Sequence, residues 1–311
     1  MKKLALIYDE KCSMHKPALY HAENPDRFTS ILNYLKEKSF LELVDIYAPS
    51  PAADEQILMV HSARHFEYVK SVIANGGGML DEDTYADSDS LLPALLAAGS
   101  VIKAVDLILE NKNKYAVSLM RPPGHHAETD RPMGFCLFNN VAIGAKYALE
   151  KKEINKAAIV DFDVHHGNGT QEIFYGSPDV LFISLHQFPL YPGTGKENEK
   201  GRGEGEGFTI NFPLPPGTGG GVYHKIFKEQ IIPALEKFNP GLLFISAGFD
   251  AHKDDPLAQM KLVEDDFSIM TSELKNFADK NGIGIISVLE GGYNLEALPK
   301  SVYAHLQILN Q

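Results

Sequence analysis

Ala157-Ala158-Ile159-Val160-Asp161-Phe162-Asp163-Val164-His165-His166-Gly167-Asn168-Gly169 is the stretch that decides the fold of this chain. It opens on an apolar run without alternation, the pattern of a strand covered on both faces. It then turns to carboxylates, imidazoles and glycines, as a strand does when it runs out into a loop. Residues two apart in a strand share a face, so Asp161, Asp163 and His165 project together where it ends. Repeated carboxylates in an apolar strand are costly without a cation. The competing reading is a strand-end cluster in which the two aspartates cap the following turn.

Working outward, the same apolar texture recurs. Strands are predicted at Leu4–Tyr8, Leu43–Tyr47, Tyr115–Met120, Ala157–Phe162, Val180–Leu185, Phe208–Phe212, Leu242–Ala247 and Gly284–Leu289. Helical patterns fall between them at Asp26–Lys38, Pro93–Asn111, Asn139–Lys151, Tyr223–Phe238 and Glu264–Asn281. Alternation of the two predicts an α/β fold with a central, mostly parallel sheet and helices on both faces. Pro192–Gly207 and Pro213–Gly221 read as long loops, and no repeat or linker divides residues 1–311, so the expectation is one domain.

Three further motifs also sit at strand ends, where open α/β sheets bind ligands. Arg121-Pro122-Pro123-Gly124-His125-His126-Ala127 puts two histidines on a stiffened loop; they either face one centre or are simply solvated. Ser246-Ala247-Gly248-Phe249-Asp250 offers a third oxygen ligand or a helix cap. Glu290-Gly291-Gly292-Tyr293-Asn294 brings a phenol that can polarise a carbonyl, or a buried turn tyrosine. Zinc accepts carboxylate and imidazole ligands, and a catalytic site keeps one position open.

The formal net charge of −12 over 311 residues argues against a nucleic-acid-binding surface and fits a cationic partner better. Cys12 and Cys136 are too few for a disulfide framework or a thiolate zinc site. The opening Met1-Lys2-Lys3-Leu4-Ala5-Leu6-Ile7 is cut short by Asp9 and Glu10 and reads as a first strand, not a signal peptide. Leu91–Leu109 carries Pro93, Lys103 and Asp106, so no membrane span is expected. The expected location is the cytoplasm.

Together these motifs resemble the histone deacetylase superfamily, and within it the class II deacetylases and bacterial amidohydrolases. The likeness covers nearly the whole chain, from His21-Ala22-Glu23-Asn24-Pro25-Asp26-Arg27 through Met133-Gly134-Phe135-Cys136-Leu137-Phe138-Asn139-Asn140 to Leu289–Leu295. It implies the arginase–deacetylase-type fold and one deacetylase domain. It implies zinc on Asp163, His165 and Asp250, with His126 as general base and acid. In the same likeness His125 is an electrostatic partner, Tyr293 an oxyanion donor, and Asn168 the partner of His126. Pairing of His125 with Asp161 would favour imidazolium, whereas an amide partner would leave His126 neutral.

By the same resemblance, Gly134, Phe135 and Tyr191 line an acyl-lysine tunnel, and Arg27 lies near an inner channel. A structural monovalent cation such as K+ matches Asp161, Asp163, His165, Ser184 and Leu185. A phenylalanine is usual where Tyr191 precedes Pro192, a difference that bears on tunnel polarity. His21-Ala22-Glu23 stands where His-Pro-Glu is common, a change expected to touch the mouth of the site and not catalysis. Leu257 is expected at the tunnel rim, where polyamine-selective relatives carry an acidic gatekeeper; Asp81-Glu82-Asp83, Asp87 and Asp89 can supply charge from another loop. The expected substrates are acetylated amines: acetyl-lysine peptides, and acetylpolyamines without strict selectivity. Two rivals are an arginase-like two-manganese hydrolase, against which His252 stands where an aspartate would be, and a non-catalytic acyl-lysine binder, in which a ligand or catalytic group would be lost.

Overall fold

The computed structural model describes residues 3–17 and 21–311; Met1 and Lys2, which open the N-terminal segment, lie outside them. Among the described residues ten strands are formed: β1 (Leu4–Ile7), β2 (Asp45–Tyr47), β3 (Gly77–Met79), β4 (Tyr85–Asp87), β5 (Tyr115–Ser118), β6 (Ala157–Asp161), β7 (Val180–Gln187), β8 (Thr209–Leu214), β9 (Leu242–Ala247) and β10 (Gly284–Leu289). Eight of them make one sheet in the order β2-β1-β5-β10-β9-β6-β7-β8. Every pairing in that sheet is parallel. β3 and β4 form a separate antiparallel ribbon, absent from the sequence expectation.

The helices are α1 (Pro25–Glu37), α2 (Asp54–Ile57), α3 (Ala63–Ala74), α4 (Leu91–Leu109), α5 (Asn140–Leu149), α6 (Asn168–Phe174), α7 (Gly220–Ile226), α8 (Ile232–Phe238), α9 (Glu264–Asn281) and α10 (Ala297–Leu309). They cover both faces of the sheet, which explains the unbroken apolar strands. Leu4, Leu6, Leu243 and Ile245 pack on one side with Ile31 and Leu35 of α1, Phe267 of α9 and Val302 of α10. Ala5, Ile7, Leu242 and Phe244 pack on the other with Val101 and Val105 of α4 and Val141 of α5. Each such Leu, Ile or Phe contributes roughly 1.5–3 kcal/mol by leaving water. α4 is long and apolar enough to cross a membrane by composition, yet two-thirds of it is buried against this sheet.

The single helix expected over Tyr223–Phe238 is instead α7 and α8 joined by a π-helical turn at Phe227–Ile231. Pro233 lacks the N–H that an unbroken α-helix would use, and it sits in the first turn of α8, where none is needed. α7 begins at Gly220, inside the segment expected to be a loop. Elsewhere β2 starts two residues later than expected because Phe40–Leu43 coils into a 3-10 turn.

In the middle of the sheet β5, β10, β9 and β6 are neighbours. Their carboxyl ends therefore deliver the loops of His125, Tyr293, Asp250 and Asp163 side by side.

Candidate active site

Asp163, His165 and Asp250 are brought together at the ends of β6 and β9. Their ligand atoms all lie within 4.8 Å of one another, and all three residues are buried. His165 Nδ1 is 3.1 Å from both Asp163 Oδ1 and Asp250 Oδ2. The remaining oxygens are tied down by backbone donors: Gly291 N–H to Asp163 Oδ2 at 2.8 Å, and Val164 N–H to Asp250 Oδ1 at 2.9 Å. A Cβ on Gly291 would stand 2.1 Å from Asp250 Oδ2 and 2.6 Å from Asp163 Oδ2, so this approach admits only glycine.

The donor set fits a metal cation. Burial, then Asp163, pushes the Asp250 carboxyl up, while His125 and His165 hold Asp163 down against its own burial. Against its burial, hydrogen bonds to the two carboxylates drive His165 up to about 10. Two buried carboxylates facing one imidazole call for a cation, and a bound metal would take the place of the proton.

The two histidines of the β5 loop have different surroundings. His125 Nδ1 meets Asp161 Oδ2 at 2.9 Å, and Asp161 and Asp163 push its pKa up to about 10 despite complete burial. His126 Nδ1 meets Asn168 Oδ1 at 2.7 Å. An amide oxygen only accepts, so the His126 proton sits on Nδ1 and Nε2 is left as a base. Burial, and then the neighbouring His125 and His165, hold His126 well below the ordinary imidazole value. Asn168 Nδ2 in turn donates to Glu128 Oε1 at 2.7 Å.

Above these groups opens a cavity of about 240 Å3 lined by Asp83, His126, Gly134, Phe135, His165, Leu190, Tyr191, Leu257 and Tyr293. The Tyr191 ring stands edge-on to His126 at 5.2 Å and 87°, and Phe135 is edge-on to Tyr293 at 5.9 Å and 87°. Gly134 has φ +57, and a Cβ there would meet His126 Cδ2 at 2.3 Å. Leu257 is exposed at the rim. Asp161 and Ser184 are register partners on β6 and β7, with Leu185 next in the strand; all three are fully buried.

Arg27 lies outside the cavity lining, buried beneath Tyr293, with its guanidinium 4.9 Å from the ring centroid. Its Nε donates to Gly292 O at 2.7 Å and its Nη2 to Glu290 O, so it holds the loop that carries the phenol. In His21-Ala22-Glu23, His21 stands edge-on to Phe135 of the cavity wall at 4.6 Å, and Glu23 reaches deeper. Glu23 is buried, chelated by Arg121 Nε and Nη2 and bonded to Arg27 Nη1 at 3.1 Å. Arg121 and Arg27 pull its carboxyl down to about 2 against its burial.

Sequence reasoning missed two supports. Asp255, 6% exposed, accepts the N–H of Tyr293 at 2.7 Å and that of Leu257 at 3.0 Å. His61 accepts the N–H of Asn139 at 2.8 Å through Nε2 and donates from Nδ1 to Glu128 O at 2.9 Å, closing the base of the Gly134–Phe135 loop. Asp255-Pro256 was a visible signal of a fixed turn; His61 carried none, because both its partners are backbone groups.

Comparison with known proteins places the histone deacetylase domain on residues 21–309. A probable deacetylase of Methanothermobacter thermautotrophicus is 44% identical, over 93% of this chain and 86% of its own length. The histone deacetylase-like amidohydrolase of Pseudomonas aeruginosa is 37% identical, over 96% of this chain and 83% of its own. Among solved structures, the crystal structure of an HDA15 HD domain superposes with TM-score 0.94 at 34% identity, covering 100% of this chain and 90% of that one.

Proposed function

Since this chain belongs to the histone deacetylase family, we propose that it is a zinc-dependent hydrolase that removes acetyl groups from amines. One observation carries the reading: a neutral His126 meets the Asp163–His165–Asp250 set at the floor of an aromatic-walled cavity that Tyr293 borders. Two carboxylates and one imidazole are ligands that zinc accepts, with a position left open. When bound, zinc supplies Lewis acidity for the acyl oxygen and makes water a better nucleophile near neutral pH.

The other tasks fall to the chain itself. Asn168 fixes the proton on His126 Nδ1, leaving Nε2 to take a proton from the attacking water and return it to the departing amine. His125, charged beside Asp161, keeps its neighbour neutral beforehand and favours the negative tetrahedral state. The Tyr293 hydroxyl donates to the developing oxyanion, a contribution of roughly 3–4 kcal/mol in comparable sites. Phe135 and Tyr191 flank an alkyl chain, and Gly134 leaves room for it beside His126. The adjoining Asp161, Ser184 and Leu185 support a structural monovalent cation such as K+.

For the amine we propose both acetyl-lysine side chains and acetylpolyamines. Leu257 brings no charge to the rim, Asp81 is already paired with Arg131 at 2.7 Å, and Asp83 offers one carboxylate at the cavity. The free thiols of Cys12 and Cys136 support a reducing compartment, the cytoplasm. Elemental analysis and turnover of a fluorogenic acetyl-lysine amide test the reading together. One zinc per chain with turnover supports it; two metal ions per chain would point to the arginase-type chemistry, and one zinc without turnover to a binding protein.

A further inference from the structure

Glu290 directly follows β10 and is fully buried, yet the chemistry above gives it no task. Its Oε2 accepts two backbone donors of the histidine loop, the N–H of Gly124 at 2.7 Å and that of His125 at 3.2 Å. Oε1 takes a longer bond, 3.4 Å, from the Ser246 hydroxyl at the end of β9. The same residue's carbonyl accepts Arg27 Nη2, and Arg27 lies under the Tyr293 ring. The next N–H along, of Gly291, holds Asp163. One residue thus touches the supports of the base, the phenol and a ligand.

We propose that Glu290 is a positioning residue that anchors the His125–His126 loop to the strand bearing Tyr293, keeping base and phenol in fixed register across the reacting carbonyl. A buried carboxylate met by neutral donors is costly and persists where those donors have no other acceptor. Among the described residues they bond to no other acceptor: the Gly124–His126 turn makes its backbone bonds through carbonyls, Gly124 O to Ala127 N–H and His125 O to Thr170 N–H. The anchor works by reach and acceptor geometry. Glutamine supplies both, since its oxygen accepts the two N–H groups and its NH2 donates to Ser246 Oγ. Aspartate is one bond, about 1.5 Å, too short.

The proposal rests on the deacetylase reading for its kinetic arm only. In Glu290→Ala, kcat for an acetyl-lysine amide should fall about 30-fold with KM within about threefold and one zinc per chain retained. Glu290→Gln should recover most of that loss, and Glu290→Asp should not. Independently of turnover, hydrogen exchange read on peptides spanning 121–127 should quicken about 100-fold in the alanine and aspartate variants and stay slow in glutamine. Should the alanine variant not fold, the glutamine and aspartate pair decides. A glutamine variant as slow as aspartate with a protected loop would overturn the anchor in favour of charge, and unchanged exchange in Glu290→Asp would overturn it outright. If the wild type turns over no acetyl amide, the functional reading fails while the exchange result still judges the anchor.

Discussion

The Asp255 carboxylate accepts the backbone N–H of Tyr293 at 2.7 Å, joining the loop after the ligand Asp250 to the loop that carries the phenol. A second bond crosses the same gap, from Asn294 Nδ2 to Asp254 O at 2.8 Å. Tyr293 is thus held from one side by Asp255 and from below by Arg27. Asp255→Ala frees one side and removes the acceptor of two part-buried N–H groups, those of Tyr293 and Leu257, a cost of roughly 1–3 kcal/mol. We expect kcat to fall about tenfold and zinc to remain bound; a variant with wild-type kcat would show that Arg27 alone suffices.

Asp250→Ala should abolish both metal binding and turnover, because a three-ligand site spares no ligand. Elemental analysis decides this directly. Full zinc content in the variant would remove Asp250 from the ligand set.

Tyr293→Phe removes one hydroxyl and leaves the ring held between the Arg27 guanidinium and the edge-on Phe135. Zinc content should stay at the wild-type level while kcat falls about 100- to 1,000-fold and KM changes little, the pattern of a group acting on the transition state. An unchanged kcat would take the phenol out of the mechanism.

At the rim, Leu257→Glu adds a carboxylate facing a substrate's distant ammonium. The ratio of kcat/KM for acetylspermidine over an acetyl-lysine peptide should rise about tenfold, equivalent to roughly 1.4 kcal/mol. A ratio that stays put would place the polyamine-discriminating charge elsewhere, with Asp83 the next residue to exchange.

Two histidines remote from the metal set tie stability to pH. Burial holds His305 and His61 at about 3, far below the ordinary imidazole value, with His65 adding to the effect at His61. Above pH 6.5 both are neutral folded and unfolded, so neither affects stability. As pH falls below 6.5 the unfolded chain takes up protons that the folded chain refuses until about pH 3. Each then costs about 1.4 kcal/mol per pH unit, or roughly 2 kcal/mol at pH 5. Urea unfolding at pH 7 and pH 5 should show this loss, and His305→Gln should show less of it; an equal loss in the variant would contradict the assignment.

The parallel sheet and the pairing of Asp163 with His165 were readable because their signals are local. Leu242–Ile245 is apolar at every residue, and Asp163 and His165 are spaced as a strand spaces them. Three features were not readable. Gln230–Pro233 has helical periodicity, and nothing in the pattern says that the turn before the proline widens. α3 and α10 bury His65, Phe66, Val69 and Ile73, and Leu298, Val302 and Leu306, at helical spacing, but α10 directly follows the glycine-rich tyrosine motif, which reads as loop. The frame under Tyr293 joins Arg27 to carbonyls 263 and 265 residues away, and a carbonyl leaves no mark on the side-chain sequence.

The strand order also sets a sequence of events during synthesis. β2, β1 and β5 form one block of the sheet and β6, β7 and β8 another, and within the sheet the two are bridged by β9 and β10, the last of these strands to be made. A nascent chain that has emerged as far as β8 carries both histidines, Asp163 and His165, but neither the third ligand nor the phenol. Under the proposed function, metal capture waits for the two late strands to wedge between the earlier blocks, and a chain made only as far as β8 has no competent site with which to attack its surroundings.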